Sequence, residues 1–254
     1  MLEFTVMDAI TASGSRQSFR DAGGQGTIVF DPARLGQATP ALFDPGSYGA
    51  RAHAVQDKGG RGAAWFVQGE FGEGVLRHYR RGGWMARASK DAYWWRGEQR
   101  VRSLREFALM QKLQQLGLPV PAPVAAFYRR AGLHYRAAII VARIEPAVSF
   151  ANLVCASPDS APWAGVGDAI GRCHSQLARH ADLNANNVLL DPDGKAWLID
   201  WDKGALEARP GPWRDRVIER LARSLRKECP ALSPAELESG LARLRAAHDK
   251  ALAG

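Results

Sequence analysis

Hydrophobic and polar positions change their period several times along the chain, and each change predicts an element. As far as about residue 58, short apolar runs such as Thr27-Ile28-Val29-Phe30 are broken by Gly23-Gly24, Asp31-Pro32 and Asp44-Pro45-Gly46, which predicts loops with short strands. The runs Ala63–Val67 and Val75–Tyr79, separated by Gly69 to Gly74, predict a hairpin entered from the glycine-rich turn Gly59-Gly60-Arg61-Gly62. From Val101 the period becomes helical, with Leu104, Ala108, Leu109, Leu113 and Leu116 on the same side and Gly117 stopping it ahead of Pro119. Strands are predicted again at Val124–Tyr128 and Tyr135–Ala142. After Arg143 the pattern is mainly helical, best at Val166–Gln176, and is interrupted by a second hairpin, Asn187–Leu190 and Ala196–Ile199 around Asp191-Pro192-Asp193-Gly194. Helices over about Trp213 to Lys227 and Pro234 to Ala251 complete the prediction.

Composition narrows the class. The longest apolar run, Ala137–Ala142, is far short of the roughly 20 residues of a membrane-spanning helix, and Glu3 and Asp8 interrupt any secretory-type start, so a cytoplasmic location is expected. Cys155, Cys173 and Cys229 form no C-x-x-C pair, which predicts neither a disulfide framework nor a zinc site. The net charge of +8 is unevenly spread: residues 77–105 carry 9 basic and 2 acidic groups. Such a segment suits a polyanion, whether nucleic acid, an acidic lipid surface or a phosphorylated substrate.

The chemistry concentrates at His180-Ala181-Asp182-Leu183-Asn184-Ala185-Asn186-Asn187 and, beyond the second hairpin, Ile199-Asp200-Trp201-Asp202. This is H-x-D-L-x-x-x-N with a downstream I-D-aromatic, the order of the protein-kinase catalytic loop and metal-binding Asp. The hairpin returns the chain so that Asn187 and Asp200 offer oxygen ligands to one Mg²⁺, while Asp182 meets the acceptor hydroxyl. In the first half, Val75 and Arg77 stand where the kinase A-x-K pair would stand, below Gly60-Arg61-Gly62, so Arg77 would hold the ATP phosphates and Glu106 would orient it. Arginine in place of lysine changes the geometry of that grip but keeps its charge; His78 or Arg80 remains an alternative. The expected fold is therefore α/β (α+β) and bilobal, protein-kinase-like: an N-lobe of small antiparallel sheet and one helix over 1–143, a mainly helical C-lobe over 144–254, and ATP between them.

The strings Val75-Leu76-Arg77-His78-Tyr79-Arg80-Arg81-Gly82-Gly83, Arg105-Glu106-Phe107, Gly117-Leu118-Pro119-Val120-Pro121-Ala122-Pro123 and Asp182-Leu183-Asn184-Ala185-Asn186-Asn187 resemble the bacterial 3-deoxy-D-manno-octulosonic acid (Kdo) kinases, a lipopolysaccharide kinase group. The resemblance runs from about Gly59 to Lys227. It implies ATP-dependent phosphorylation of the 4-hydroxyl of Kdo on a lipid A precursor, at the cytoplasmic face of the inner membrane. A nucleic-acid-binding module, suggested by the basic segment, lacks a helix-turn-helix or RNA-binding signature, so no nucleic acid is expected, and no obligate protein partner is evident. Arg80 and Arg81, among the aromatics Tyr79, Trp84, Tyr93, Trp94 and Trp95, are candidates for glycolipid binding, and Lys203 either neutralises transferred phosphate or is a surface charge. His180 is expected to brace the catalytic loop. The helix carrying Trp213, Val217, Ile218, Leu221 and Leu225 against Arg214, Arg216, Arg220, Arg223, Arg226 and Lys227 either packs on its lobe or lies on an anionic bilayer. Other readings are a kinase for another sugar, such as a heptose or an aminoglycoside, or a nucleotide-binding pseudokinase scaffold.

Overall fold

In a computed structural model, residues 14–55, 64–79 and 93–253 are described. They fall into two units, one made of residues up to Gln111 with Ala122–Arg143, the other of Lys112–Pro121 with Ile144 onward. Residues 112–121, expected within the first lobe, thus group with the second.

The first unit is built on an antiparallel sheet ordered β1-β2-β7-β8-β5-β4-β3, with β6 pairing β8. The strands are β1 (Ser15–Asp21), β2 (Gly24–Phe30), β3 (Ala52–Ala54), β4 (Ala64–Gly69), β5 (Gly72–His78), β6 (Tyr93–Trp94), β7 (Pro123–Ala131) and β8 (His134–Ala142). Residues to about 58 therefore contribute three strands, more than their turn-rich sequence suggests. Alternation along β5 sends Leu76 and Arg77 to opposite faces. Leu76 joins a core with Ile28, Phe30, Leu35, Phe43, Phe127 and Ile140, which residues 31–51 cover, and the Phe43 and Phe127 rings stack with centroids 4.4 Å apart. Arg77 meets helix α1 (Arg102–Gln115). That helix is held to the sheet by buried Leu104 and Phe107 and by Ser103 Oγ donating to the Phe127 carbonyl at 2.8 Å. It stops where the sequence says it should: Gly117 has φ of +68°, a backbone state that costs other residues a Cβ clash, and Leu118 N–H closes onto the Leu113 carbonyl at 3.0 Å.

In the second unit the helices are α2 (Phe150–Ala156), α3 (Trp163–Ser175), α4 (Trp213–Glu228) and α5 (Pro234–Ala253), with the short strands β9 (Val148–Ser149), β10 (Ala178–Arg179), β11 (Val188–Leu190), β12 (Ala196–Leu198) and β13 (Ala205–Leu206) between them. Helices α3 and α5 approach so closely that a Cβ on Gly167 would stand 2.1 Å from the Leu244 carbonyl oxygen, and one on Gly171 would stand 2.6 Å from that of His248. Helix α4 turns Val217, Ile218, Leu221 and Leu225 into the unit, which decides its two readings in favour of packing. The cysteine expectation also needs correcting, because Cys155 on α2 and Cys229 at the end of α4 form a disulfide across 74 residues of sequence. Spacing along the chain carried no sign of it; two helix ends meeting in space create it. No helix among the described residues is long and apolar enough to cross a membrane.

Candidate active site

The hairpin β11–β12 sets the frame. Val188 pairs with Leu198, and Ile199 N–H donates to the Asn187 carbonyl at 3.0 Å, so Asn187 and Asp200 flank the same end of the hairpin. Its other end is closed by Asp191, which accepts from Lys195 N–H and Trp197 Nε1, each at 2.9 Å. At Asp200 the backbone turns sharply, with φ of +63°, a state unusual for a non-glycine residue. It delivers Trp201 to a fully buried position, where Nε1 donates to the Leu198 carbonyl at 2.9 Å.

The loop before the hairpin is organised from beneath. Leu183 and Ala185 are buried anchors. His180, also buried, accepts from Asp182 N–H at Nδ1 (3.2 Å), and its Nε2 lies 2.9 Å from the Ile199 carbonyl. A neutral imidazole protonated at Nε2 satisfies both contacts, and burial holds the pKa of His180 below the usual histidine value, which favours that neutral form. The expected bracing role of His180 therefore has a geometry. Asn184, not singled out in the sequence, folds the loop by accepting from Asn186 N–H (3.0 Å) and Asn187 N–H (3.2 Å). The Asn187 amide donates from Nδ2 to the Asp182 carbonyl at 3.0 Å.

Asp182 presents a carboxylate that is 58% exposed, and α4 supplies its partner: Arg220 Nε donates to Asp182 Oδ1 at 2.6 Å. One helical turn on, Ser224 Oγ accepts from Ala185 N–H at 2.8 Å. Two side chains at i and i+4 of one helix thus hold the loop at both ends. Sequence offered no signal for this, since Arg220 is one of six basic residues on α4 and stands 38 positions from Asp182. Lys203 is exposed in a second left-handed turn, with φ of +63°.

In the first unit Arg77 Nη2 donates to Glu106 Oε1 at 2.5 Å, and Tyr79, read from the sequence only as one of the aromatics of the basic segment, donates its hydroxyl to Glu106 Oε2. Glu106 is only 2% exposed, so its charge is held in a largely water-free setting between a guanidinium and a phenol. His78, the alternative to Arg77, instead directs Nε2 to the Phe43 carbonyl at 2.8 Å on the core face. Gly60, Arg61, Gly62, Arg80 and Arg81 lie outside the described residues.

A metal fits this chemistry in one place. Among the described residues no three His, Cys, Asp or Glu side chains are grouped to hold an ion. Asn187 and Asp200 are hard oxygen donors, one neutral and one anionic, a pair that suits Mg²⁺ completing its shell with phosphate and water rather than a soft metal needing a protein cage.

Comparison with known proteins gives this arrangement a family. The model of the lipopolysaccharide kinase (Kdo/WaaP) family matches residues 48–241, which include every one of these side chains. The chain belongs to the lipopolysaccharide kinase family. It is 46% identical over 251 residues to the 3-deoxy-D-manno-octulosonic acid kinase of Stenotrophomonas maltophilia (strain K279a), covering 99% of this chain and 98% of that protein. The protein of that name from Xanthomonas axonopodis pv. citri (strain 306) is 45% identical over 245 residues, covering 96% and 98%. Among solved structures, WaaP in complex with acyl carrier protein superposes with a TM-score of 0.52 at 15% identity, over 86% of this chain and 88% of that one, a likeness of fold. The bilobal kinase-like fold expected from the motif order is thus the fold of a lipopolysaccharide kinase.

Proposed function

We propose that this protein transfers the γ-phosphoryl group of ATP to the 4-hydroxyl of Kdo carried on a lipid A precursor. The observation that carries the reading is full-length identity of about 45% to proteins named as Kdo kinases, in a chain whose Asp182, Asn187 and Asp200 keep the kinase order. Asp182 accepts a hydrogen bond from the sugar hydroxyl and aims its oxygen at the γ-phosphorus. The new O–P bond forms as the bond from that phosphorus to the bridging oxygen breaks, the proton passes to Asp182, and ADP leaves. Arg77, oriented by Glu106 and Tyr79, binds the phosphates of ATP, and Gly60, Arg61 and Gly62 cover them. Asn187 and Asp200 would hold Mg²⁺, whose part is to neutralise phosphate charge. Arg80, Arg81 and Lys203 contact the anionic acceptor. Because that acceptor is a lipid, the protein works at the cytoplasmic surface of the inner membrane as a peripheral protein.

The test is phosphate transfer from ATP, with Mg²⁺ present, to a lipid A precursor with Kdo and to the same lipid without it. Product only with Kdo is expected. Asp182→Ala should abolish turnover while ATP binding, measured by calorimetry, persists; full activity in that variant removes Asp182 from the mechanism.

A further inference from the structure

Among the described residues, three large hydrophobic side chains stand open to solvent: Trp94 at 52%, Leu133 at 65% and Val148 at 46%. The first two share one corner of the first unit. Trp94 pairs with His134 in the β6–β8 ladder, their rings tilted by 38° with centroids 4.6 Å apart, and the next residue, Trp95, donates its N–H to the Leu133 carbonyl at 2.8 Å. Leu133 is therefore the tip of the β7–β8 turn, and Trp94 lies beside it.

The surroundings are basic. Residues 93–100 and 129–136 contain Arg96, Arg100, Arg129, Arg130 and Arg136 against one carboxylate, Glu98, which is already paired with Arg16. Arg129 and Arg136 stand opposite each other in the β7–β8 register, a like-charge pairing that is unfavourable without an anion nearby. Asp21 answers Arg129 at 2.6 Å, and Arg130 stacks over Trp95 at 4.8 Å. Arg96, Arg100 and Arg136 form no ion pair among the described residues.

The amphipathic helix that the sequence offered as a bilayer-facing element is engaged elsewhere. The apolar side of α4 is buried, Arg214 donates to the His174 carbonyl at 2.8 Å, and Arg220 holds Asp182. The Trp94 corner has the opposite character: Trp94 and Leu133 point outward, and Arg96, two residues beyond Trp94, and Arg136, two residues along β8 from His134, are exposed with no ion pair among the described residues.

We propose that the corner formed by Trp94, Leu133, Arg96 and Arg136 is the surface on which this protein rests on an anionic phospholipid bilayer. The proposal rests on the lipid-borne acceptor of the proposed function. An indole is favoured at headgroup depth, where its ring lies among apolar carbons and its N–H stays wet, and a leucine at a turn tip enters the acyl boundary without burying an unpaired strand edge. Each arginine facing an anionic leaflet strengthens attachment by roughly five-fold, an effect confined to about a Debye length. That short range is why cations beside the apolar tip count for attachment and those elsewhere on the molecule do not.

The experiment is co-sedimentation of the full-length chain with phosphatidylethanolamine–phosphatidylglycerol vesicles and with phosphatidylcholine vesicles. Wild type should bind the anionic vesicles and release from them at about 0.5 M salt. W94A/L133S should bind at least about ten-fold more weakly, and Val148→Ser should bind as wild type. All three substitutions are at exposed positions, and equal melting temperatures would exclude misfolding. Equal binding by W94A/L133S and wild type overturns the proposal, as does equal wild-type binding to both lipids. Concentration-dependent self-association that W94A/L133S abolishes, without vesicle binding, would assign the corner to a second copy of the chain and also overturns it. Kdo phosphorylation in detergent micelles, which needs no bilayer, reports separately on the proposed function: W94A/L133S should keep it, and its absence from wild type would sink that function without deciding the surface.

Discussion

Acid should destabilise this protein through one buried histidine, and the size of the effect follows from its surroundings. His174 on α3 is 1% exposed; its Nδ1 lies 2.9 Å from Nε2 of His248 on α5, whose Nδ1 lies 2.8 Å from Asp249 Oδ1. The Trp213 ring meets it edge-on at 4.9 Å, and Arg214 binds its carbonyl. Burial, reinforced by the neighbouring His248 and Arg214, pushes the pKa of His174 from 6.5 down to about 3. A histidine whose folded pKa is depressed contributes full stability above its unfolded pKa and loses it as pH falls from 6.5 towards 3, because the unfolded chain binds the proton first. At pH 5 the loss is about 2 kcal/mol. For a chain of this length that corresponds to about 4–8 °C in melting temperature. Scanning calorimetry at pH 7 and pH 5 on wild type and His174→Gln measures it. The variant should start lower, having lost the contact to His248, but should fall less between the two pH values. His180, also depressed by burial, contributes to both proteins equally and cancels in the comparison. An identical drop in wild type and variant would falsify the assignment to His174.

The contact between Arg220 and Asp182 joins two half-exposed side chains, so it adds only about 0–1 kcal/mol to stability. Arg220→Ala should therefore leave the melting temperature nearly unchanged while lowering kcat by about 10- to 100-fold through a misplaced Asp182, with partial rescue in Arg220→Lys; a thermal loss without a kinetic one would make the pair merely structural. Glu106→Gln removes the charge that Arg77 and Tyr79 share, which should cost about 3 kcal/mol in a denaturant melt and raise KM for ATP more than KM for the acceptor. The bond between Cys155 and Cys229 should raise stability by about 2–4 kcal/mol, so the melt should shift downward when reductant is added to wild type and stay still in Cys155→Ser.

How much of this was legible beforehand depended on the range of the interaction that decides each feature. Helix α1 and its stop at Gly117, the β7–β8 pair and the β11–β12 hairpin were readable because each follows from a local period and a turn former. The pairing of Arg77 with Glu106 was readable because a known motif order put both residues in register. By contrast, the two strands β1 and β2 carry only one apolar run between them, and their pairing with each other and with β7 supplies the regularity that their sequence lacks.

Read alone, the sequence supplied the order of the kinase-like motifs and the local elements that carry them, since order and period are properties of neighbours along the chain. Only the tertiary structure decided which partner each of those residues takes. Arg220 reaches Asp182, Tyr79 completes Glu106, Cys155 meets Cys229, and His78 turns from the phosphate role to a core carbonyl. The amphipathic pattern of α4 is compatible with a bilayer or a protein core alike, because a hydrophobic stripe specifies that it be covered and not by what. Packing settled that by burying α4, and among the described residues it left Trp94 and Leu133, together with Val148, as the large apolar side chains facing outward.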